Sequence, residues 1–250
     1  MKKMLLLCAG LLLAAGITSA EVVSTNIVGY VKTEGPTGGG YTILSPNFVS
    51  VLSENQTFSL DRITGVFSEW VDNITFLFPD GSYSEPFTWY EEDYFGSLGA
   101  QPGWYDPLYN YVGKTNLLAG TAVLITTDWD AEILVSGQVE TDEIVVSYNE
   151  PGYYILGNCT PVPIALEKIR FTGLEEWVDN ITLLSPDGTY SEPLTWYEED
   201  YFGSLGAQAG WYDSLYNYVG ETKILQPGEG VCLTTEASGI SITFPAPVIN

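Results

Sequence analysis

The sequence predicts a mainly β protein made of two tandem homologous modules, each a β-sandwich or barrel-like unit with one short helix. Residues 70–113 recur at 177–220, a shift of 107, with 38 of 44 positions identical. Segments rich in β-branched and aromatic residues alternate with turn residues, as strands do. The 26 glycines and 14 prolines are spread along the chain and leave little room for long helices.

The first 20 residues have the pattern of a secretory signal peptide. Lys2 and Lys3 precede an apolar run over 4–17, and small residues follow at 18–20. The run is shorter than the roughly 20 apolar residues of a membrane-spanning helix. We therefore expect export, to the periplasm, the cell surface or the medium, with no membrane insertion after the signal is cleaved.

The remaining chain divides into copy one, residues 21–140, and copy two, residues 141–250. Outside the near-identical block the copies match more loosely, 41–44 with 153–156 and 120–127 with 228–235. The strands predicted with most support lie over 22–31, 121–127, 132–139, 144–148 and 240–244. Pro79-Asp80-Gly81 and Pro186-Asp187-Gly188 predict equivalent hairpin turns, because Pro presets φ and Gly accepts a positive φ. Residues 59–63 and 164–169 are each compatible with a single short helix.

The composition limits the classes of function. A formal net charge of −24, from 8 basic and 32 acidic residues, repels nucleic acid and anionic lipid, so neither is expected as a partner. Solubility is the simplest role for such a surface. The chain has no histidine. This excludes Ser-His-Asp and Cys-His catalysis and removes the usual zinc and copper ligands.

Two cysteines follow the signal segment, Cys159 and Cys232, both in copy two. Export favours a disulfide between them. Their equivalents in copy one are not cysteines, so a bridge would be an addition to the shared fold. Two separate buried thiols are the open alternative, because pairing needs Cα atoms within about 7 Å.

The opening segment after the signal reads Ser-Thr-Asn-Ile-Val-Gly-Tyr-Val, residues 24–31, and is followed by an aromatic-aliphatic strand, a Ser-Leu-x-x-Ile turn and a Trp-containing hairpin. A Gly-Trp-Tyr segment and a last strand ending in Gly-x-Val at 137–139 complete copy one. The pattern resembles a group of secreted, tandem-repeat, β-rich bacterial proteins of unassigned function. Copy two departs from it with Pro-Ala-Pro-Val at 245–248. The resemblance implies export and β modules, and it brings no catalytic residues.

Aromatic residues are the first candidate site. The set in copy one is Trp70, Trp89, Trp104, Tyr105, Tyr109 and Tyr111, with partners Trp177, Trp196, Trp211, Tyr212, Tyr216 and Tyr218 in copy two. Most are expected in the core, since small β modules bury Trp and Tyr. A solvent-facing subset would bind carbohydrate by stacking, and we expect Trp104, Tyr105 and Asp106 to lead it, with Trp211, Tyr212 and Asp213 in copy two.

Acidic residues give two further candidates. Glu91 and Asp93 would share a face of a strand, as would Glu198 and Asp200, and each pair is a candidate Ca²⁺ site. The spacing lacks the regular pattern of calcium loops, so a solvated acidic loop is the favoured alternative. Paired carboxylates of a glycan-active hydrolase are the other candidate, but with 32 acids chance pairs are expected.

The favoured interpretation is a secreted, non-catalytic structural or adhesive surface protein whose partner is an extracellular glycan or surface component. The rival is the glycan-active hydrolase. The sequence indicates no cofactor apart from the Ca²⁺ candidate, and it does not define the oligomeric state.

Overall fold

The computed structural model describes residues 28–48, 57–91, 101–118, 120–198 and 208–247. It confirms the predicted mainly β class, because these residues form 20 strands and two 3-10 turns, with no α-helix among them. The predicted signal peptide and the first residues of the opening strand lie outside the described residues. No helix of the described part is long and apolar enough to cross a membrane.

The described residues of copy one form ten strands. They are β1 Val28–Glu34, β2 Gly40–Leu44, β3 Thr57–Ser59, β4 Ile63–Val66, β5 Asn73–Thr75, β6 Phe87–Tyr90, β7 Gly103–Tyr105, β8 Asn116–Leu118, β9 Val123–Thr127 and β10 Glu132–Gln138. A 3-10 turn, Leu60–Arg62, links β3 and β4 at the place where a short helix is predicted.

Copy two repeats the order. Its strands are β11 Ile144–Tyr148, β12 Gly152–Gly157, β13 Ile164–Ala165, β14 Arg170–Thr172, β15 Asn180–Thr182, β16 Leu194–Tyr197, β17 Gly210–Tyr212, β18 Ile224–Leu225, β19 Gly230–Thr235 and β20 Ile240–Phe244. The matching 3-10 turn is Leu166–Lys168.

Strand pairing is the same in both copies. Copy one has a three-stranded sheet β1-β10-β4, a five-stranded sheet β2-β9-β5-β6-β7 and a pair β3-β8; copy two has β11-β20-β14, β12-β19-β15-β16-β17 and β13-β18. All pairs are antiparallel. Within the described residues every sheet draws its strands from one copy.

Each copy encloses its own hydrophobic core. In copy one Phe58, Ile63, Trp104 and Ile133 are 0% exposed and come from four different strands. Strand β10 alternates half-buried and buried residues along its whole length, because one of its faces covers this core. The core of copy two is built in the same way around Trp211 and Phe244.

Each five-stranded sheet is buried on both faces in the part that joins the copies. On β9, Val123 and Ile125 belong to the core of copy one, whereas Leu124 between them packs in a third cluster with Ile155 and Cys232 of copy two. Successive side chains of a strand point to opposite faces, so one strand serves its own core and the contact between copies.

The contact between the copies has an approximate two-fold arrangement. The backbone N–H of Tyr41 donates to the Pro186 carbonyl at 2.9 Å, and that of Tyr153 donates to the Pro79 carbonyl at 3.0 Å. The hydroxyls of Tyr83 and Tyr190, which are equivalent residues 107 apart, share a hydrogen bond of 3.0 Å. Each predicted Pro-Asp-Gly turn therefore forms and docks on the other copy, as in an isologous dimer interface.

Glycine is required where these turns dock. Gly40 and Gly152 have φ values of 137° and 154°, which L side chains rarely adopt. A Cβ on Gly40 would collide with the Pro186 carbonyl oxygen, and one on Gly152 would collide with that of Pro79. The two close approaches are equivalent, so both copies need glycine at this position.

Candidate functional site

The rings expected to lead the sugar-binding surface lie in the core. Trp104 and Trp211 are 0% and 1% exposed, and Tyr105 and Tyr212 are 5% and 4% exposed. They lie on β7 and β17, where all three residues of each strand are buried. The expectation that these rings face solvent is therefore wrong. A Gly-Trp-Tyr strand that packs on both faces buries both rings, because large aromatic surfaces gain most from burial.

A different subset of the predicted aromatic set is exposed. Trp70 is 51% exposed and Tyr109 is 53% exposed, while Tyr90, between them, is buried. The ring centroids of Trp70 and Tyr90 are 5.5 Å apart, and those of Tyr90 and Tyr109 are 5.8 Å apart. We call these three residues the aromatic platform of copy one. It presents two exposed rings on either side of a buried third.

Copy two repeats the aromatic platform with Trp177, Tyr197 and Tyr216. The ring distances are 5.3 Å and 6.0 Å, and Trp177 and Tyr216 are 49% and 56% exposed. The neighbouring Leu108 and Leu215 are among the most exposed apolar residues, at 80% and 78%. Each aromatic platform and its neighbouring leucine thus expose apolar surface within the near-identical block, residues 70–113 in copy one and 177–220 in copy two.

The exposed rings have an unusual backbone conformation. Trp70, Tyr109, Trp177 and Tyr216 have φ values of 72°, 62°, 71° and 61°, and they are the non-glycine residues of the described chain with positive φ. The left-handed region costs an L residue roughly 1–2 kcal/mol, and glycine or asparagine are the residues that normally occupy it. Strain of this kind is concentrated at functional sites.

A buried carboxylate fixes the turn that presents Trp70. Asp72 is 1% exposed, and its Oδ2 accepts the Ser68 N–H at 2.7 Å while its Oδ1 accepts the Asp128 N–H at 2.9 Å. The Trp70 N–H donates to the Trp89 carbonyl at 3.1 Å. Asp72 therefore ties the turn to the start of the β9–β10 connection. In copy two Asp179 accepts the equivalent bonds from Glu175 and Glu236.

A second carboxylate fixes the turn that presents Tyr109. Asp106 Oδ1 accepts the N–H groups of Leu108 and Asn110 at 2.9 and 2.8 Å, and its Oδ2 accepts from Asn110 Nδ2. These bonds, from the Asn110 side chain first, lower the pKa of Asp106 below its usual 3.8. Asp213 makes the same bonds with Leu215 and Asn217. Asp106 and Asp213 thus hold the turns, and their carboxylates serve the backbone.

The structure does not test the calcium interpretation. Asp93 and Asp200 lie outside the described residues. Glu91 accepts the Trp89 indole N–H at 2.9 Å, and Glu198 accepts that of Trp196 at 3.1 Å. Within the described part of the chain no group of three or more His, Cys, Asp or Glu residues is placed to hold a metal ion. Ca²⁺ binding at these acids stays a prediction.

Cys159 and Cys232 are free thiols, both buried. Cys159 packs in the core of copy two, whereas Cys232 packs in the cluster between the copies. The disulfide considered from the sequence is absent, and two separate buried thiols are found. Burial raises the pKa of the Cys159 thiol to about 12, so it stays protonated at neutral pH.

No protein-family model, curated protein or solved structure matches this chain. The informative comparison is therefore between the two copies of the internal repeat. It places the same rings, the same left-handed turns and the same supporting carboxylates in both copies.

Sequence reasoning included Trp70 and Tyr109 in the aromatic set but ranked the wrong members first. It omitted Tyr90 and Tyr197, and it omitted Tyr83 and Tyr190, whose hydroxyls meet between the copies. The sequence does not reveal a left-handed backbone position when the residue there is Trp or Tyr. The turn acids Asp72 and Asp106, each close to an exposed ring in the sequence, are the signal that could have found these rings.

Proposed function

We propose that this is a secreted, non-catalytic adhesive or structural surface protein that binds carbohydrate through its two aromatic platforms. The observation that supports this most is the exposed aromatic pair with left-handed backbone, Trp70 and Tyr109, repeated as Trp177 and Tyr216. An exposed Trp at such a position adds backbone strain and exposes apolar surface, as residues of binding sites do, and a ligand that covers the ring removes that surface from water.

Carbohydrate is the ligand class that fits this surface. Sugar C–H groups pack on aromatic faces, and the neighbouring rings of the aromatic platforms are spaced 5.3–6.0 Å apart, with two rings of each platform open to solvent. A charged polymer such as nucleic acid would meet a chain of net charge −24. A neutral glycan meets no such repulsion.

Two aromatic platforms on one chain favour a polymeric or multivalent partner. When one platform is bound, the second meets the same polymer at a raised effective concentration. Overall binding is then stronger than either site alone, which suits adhesion to a cell wall or an extracellular matrix.

The test is binding of the exported chain, residues 21–250, to an array of soluble polysaccharides and bacterial surface glycans. Trp70→Gly with Trp177→Gly should abolish binding, because glycine keeps the left-handed turn while the ring is removed. Each single change should weaken binding strongly through loss of avidity. The unfolding free energy should stay within about 1 kcal/mol, since relief of backbone strain offsets the removal of the ring from its aromatic neighbour.

Trp129→Ala is the matched control. Trp129 is 69% exposed, lies outside the repeated block and corresponds to Ala237 in copy two. Its removal should leave glycan binding unchanged. The proposal fails if no glycan on the array is bound, or if the double glycine variant binds as the parent does.

A further inference from the structure

Two cavities lie at the contact between the copies, and both use Tyr83 and Tyr190 as walls. The first has a volume of about 480 Å³ and the second about 440 Å³. Each is built across the contact: the first combines Tyr41 of copy one with Asp187 of copy two, and the second combines Tyr153 of copy two with Asp80 of copy one. Neither cavity would be complete in a single copy.

The two cavities have the same chemistry at equivalent positions. Three tyrosines, two threonines and one aspartate line the first: Tyr41, Tyr83, Tyr190, Thr75, Thr126 and Asp187. The second has Tyr153, Tyr83, Tyr190, Thr182, Thr234 and Asp80. Among the lining residues the copies differ at one position, where Leu124 corresponds to Cys232.

This agreement extends beyond the near-identical block. Tyr41 and Tyr153 lie in strands β2 and β12, and Thr126 and Thr234 lie in β9 and β19, which are outside the near-identical block. The lining position that differs between the copies, Leu124 or Cys232, lies in the same two strands, β9 and β19. The tyrosines, threonines and aspartates of the two cavities are thus the same in both copies.

The aspartate supplies a negative charge to each cavity. Asp187 Oδ1 accepts both the N–H and the hydroxyl of Thr189, at 3.0 and 2.7 Å, and its Oδ2 has no hydrogen-bond partner among the described residues. The hydroxyl bond of Thr189 is the main cause that lowers the pKa of Asp187, so the carboxylate is ionised at neutral pH. Asp80 makes the same two bonds with Ser82.

The charge has no basic counterpart in either cavity. Neither cavity includes a lysine or arginine among its described lining residues. Tyrosine rings attract cations through the negative face of the π system. The rings of both cavities are open to a ligand, since their exposure runs from 40% for Tyr41 to 47% for Tyr153. Three rings and one carboxylate without a basic residue form an environment that favours a positively charged organic group over a neutral or anionic one.

We propose that each cavity binds a small organic cation, an alkylammonium or quaternary ammonium group, held by the tyrosine rings and the aspartate. The site is independent of the aromatic platforms, which lie on other residues of each copy. The chain would then bind two such cations, one on each side of the approximate two-fold arrangement.

The test is calorimetric titration of the exported chain, residues 21–250, with choline and with its neutral isostere 3,3-dimethylbutan-1-ol. Choline should bind at two sites per chain, and the isostere should bind at least about fivefold more weakly, since it lacks the charge. Glucose serves as the competing neutral sugar and should not displace choline. Equal binding of the isostere, displacement by glucose, or no choline binding at 10-millimolar concentrations would each overturn the proposal.

Variants assign the sites to the cavities. Asp187→Asn should weaken one choline site by about fivefold or more and leave the other unchanged, and Asp80→Asn should do the same for the second cavity. Both asparagines keep the acceptor for the turn, so the fold is retained. Trp70→Gly with Trp177→Gly should leave choline binding unaltered. If neither asparagine variant changes choline affinity, the cation does not occupy these cavities and the assignment is wrong.

Discussion

Trp104 and Trp211 occupy equivalent core positions, yet their indole N–H groups differ in hydrogen bonding. Trp104 Nε1 donates to the Ile63 carbonyl at 3.0 Å, whereas Trp211 Nε1 is buried without a hydrogen-bond partner in the described structure. Both indoles pack edge-to-face against a second tryptophan, at 5.1 Å in copy one and 5.3 Å in copy two. The same substitution can therefore be made at two equivalent positions whose native environments differ by one hydrogen bond.

Trp104→Phe should cost about 1 kcal/mol more unfolding free energy than Trp211→Phe. Both changes remove a similar part of a buried indole ring, but only the first removes a satisfied hydrogen bond and leaves the Ile63 carbonyl without it. Urea unfolding of the two variants measures the difference. Full truncation, Trp104→Ala, should cost about 3–5 kcal/mol in the same experiment. Equal destabilisation by the two phenylalanine variants would show that the two indole N–H groups have equivalent environments.

Thr127 and Thr235 give a second matched pair. Both are buried, but the Thr235 hydroxyl donates to Asp179 Oδ2 at 2.9 Å, whereas the Thr127 hydroxyl has no partner among the described residues. Thr235→Val should cost about 1.5–3 kcal/mol because it removes the bond to Asp179 and leaves the Ala237 N–H without its acceptor. Thr127→Val should be neutral or stabilising, since it removes an unsatisfied buried hydroxyl. Denaturant midpoints of both variants test this, and a larger destabilisation by Thr127→Val would contradict it.

The sequence predicted the fold well where local patterns determine it. The turn at Pro79-Asp80-Gly81, strands β10 and β11 and the 3-10 turn at Leu60–Arg62 form at the predicted positions, because turn chemistry and alternation act over a few residues. The burial of Trp104 could not be predicted in this way. Whether a ring on a strand faces a core or solvent depends on what covers that face of the strand, and in β7 both Trp104 and its neighbour Tyr105 are buried.

The cavities between the copies were also beyond sequence reasoning. Tyr41 and Asp187 are far apart in the chain and meet only because two sheets pack with approximate two-fold symmetry. The repeat predicts that any site occurs twice. It contains no signal for a site that is shared between the copies.

The thiol of Cys159 should make stability pH-dependent in the alkaline range. Burial raises its pKa from 9.0 to about 12, so the native state retains a proton that the unfolded chain loses. The contribution is complete below pH 9 and is lost as the pH rises from 9 towards 12. Between pH 8 and 10.5 the parent should lose about 2 kcal/mol more than Cys159→Ala, which lacks this group.

The comparison of the two chains at each pH removes the effect of tyrosine titration, which is common to both apart from the smaller electrostatic effect of Cys159 on Tyr148. A thiol reagent provides an independent check. At pH 8 both cysteines of residues 21–250 should be unreactive in the native chain and should react after unfolding. Rapid labelling of Cys159 in the native chain would show that it is neither buried nor protonated.

Asp106 should act as a positioning residue for Tyr109. Its hydrogen bonds lower its pKa, so the ionised form is the one that holds the turn. The stabilisation of the turn by ionised Asp106 is complete above pH 3.8, and it is lost as the pH falls through the lower native pKa. The carboxyl carbon of Asp106 should therefore titrate by NMR with a midpoint below 3.8.

Asp106→Ala should speed hydrogen exchange of the Leu108 and Asn110 amides, while Asp106→Asn should preserve their protection because the amide oxygen still accepts. Unchanged exchange in the alanine variant would mean that the left-handed turn at Tyr109 is fixed by other contacts, and that the carboxylate has no part in presenting the ring.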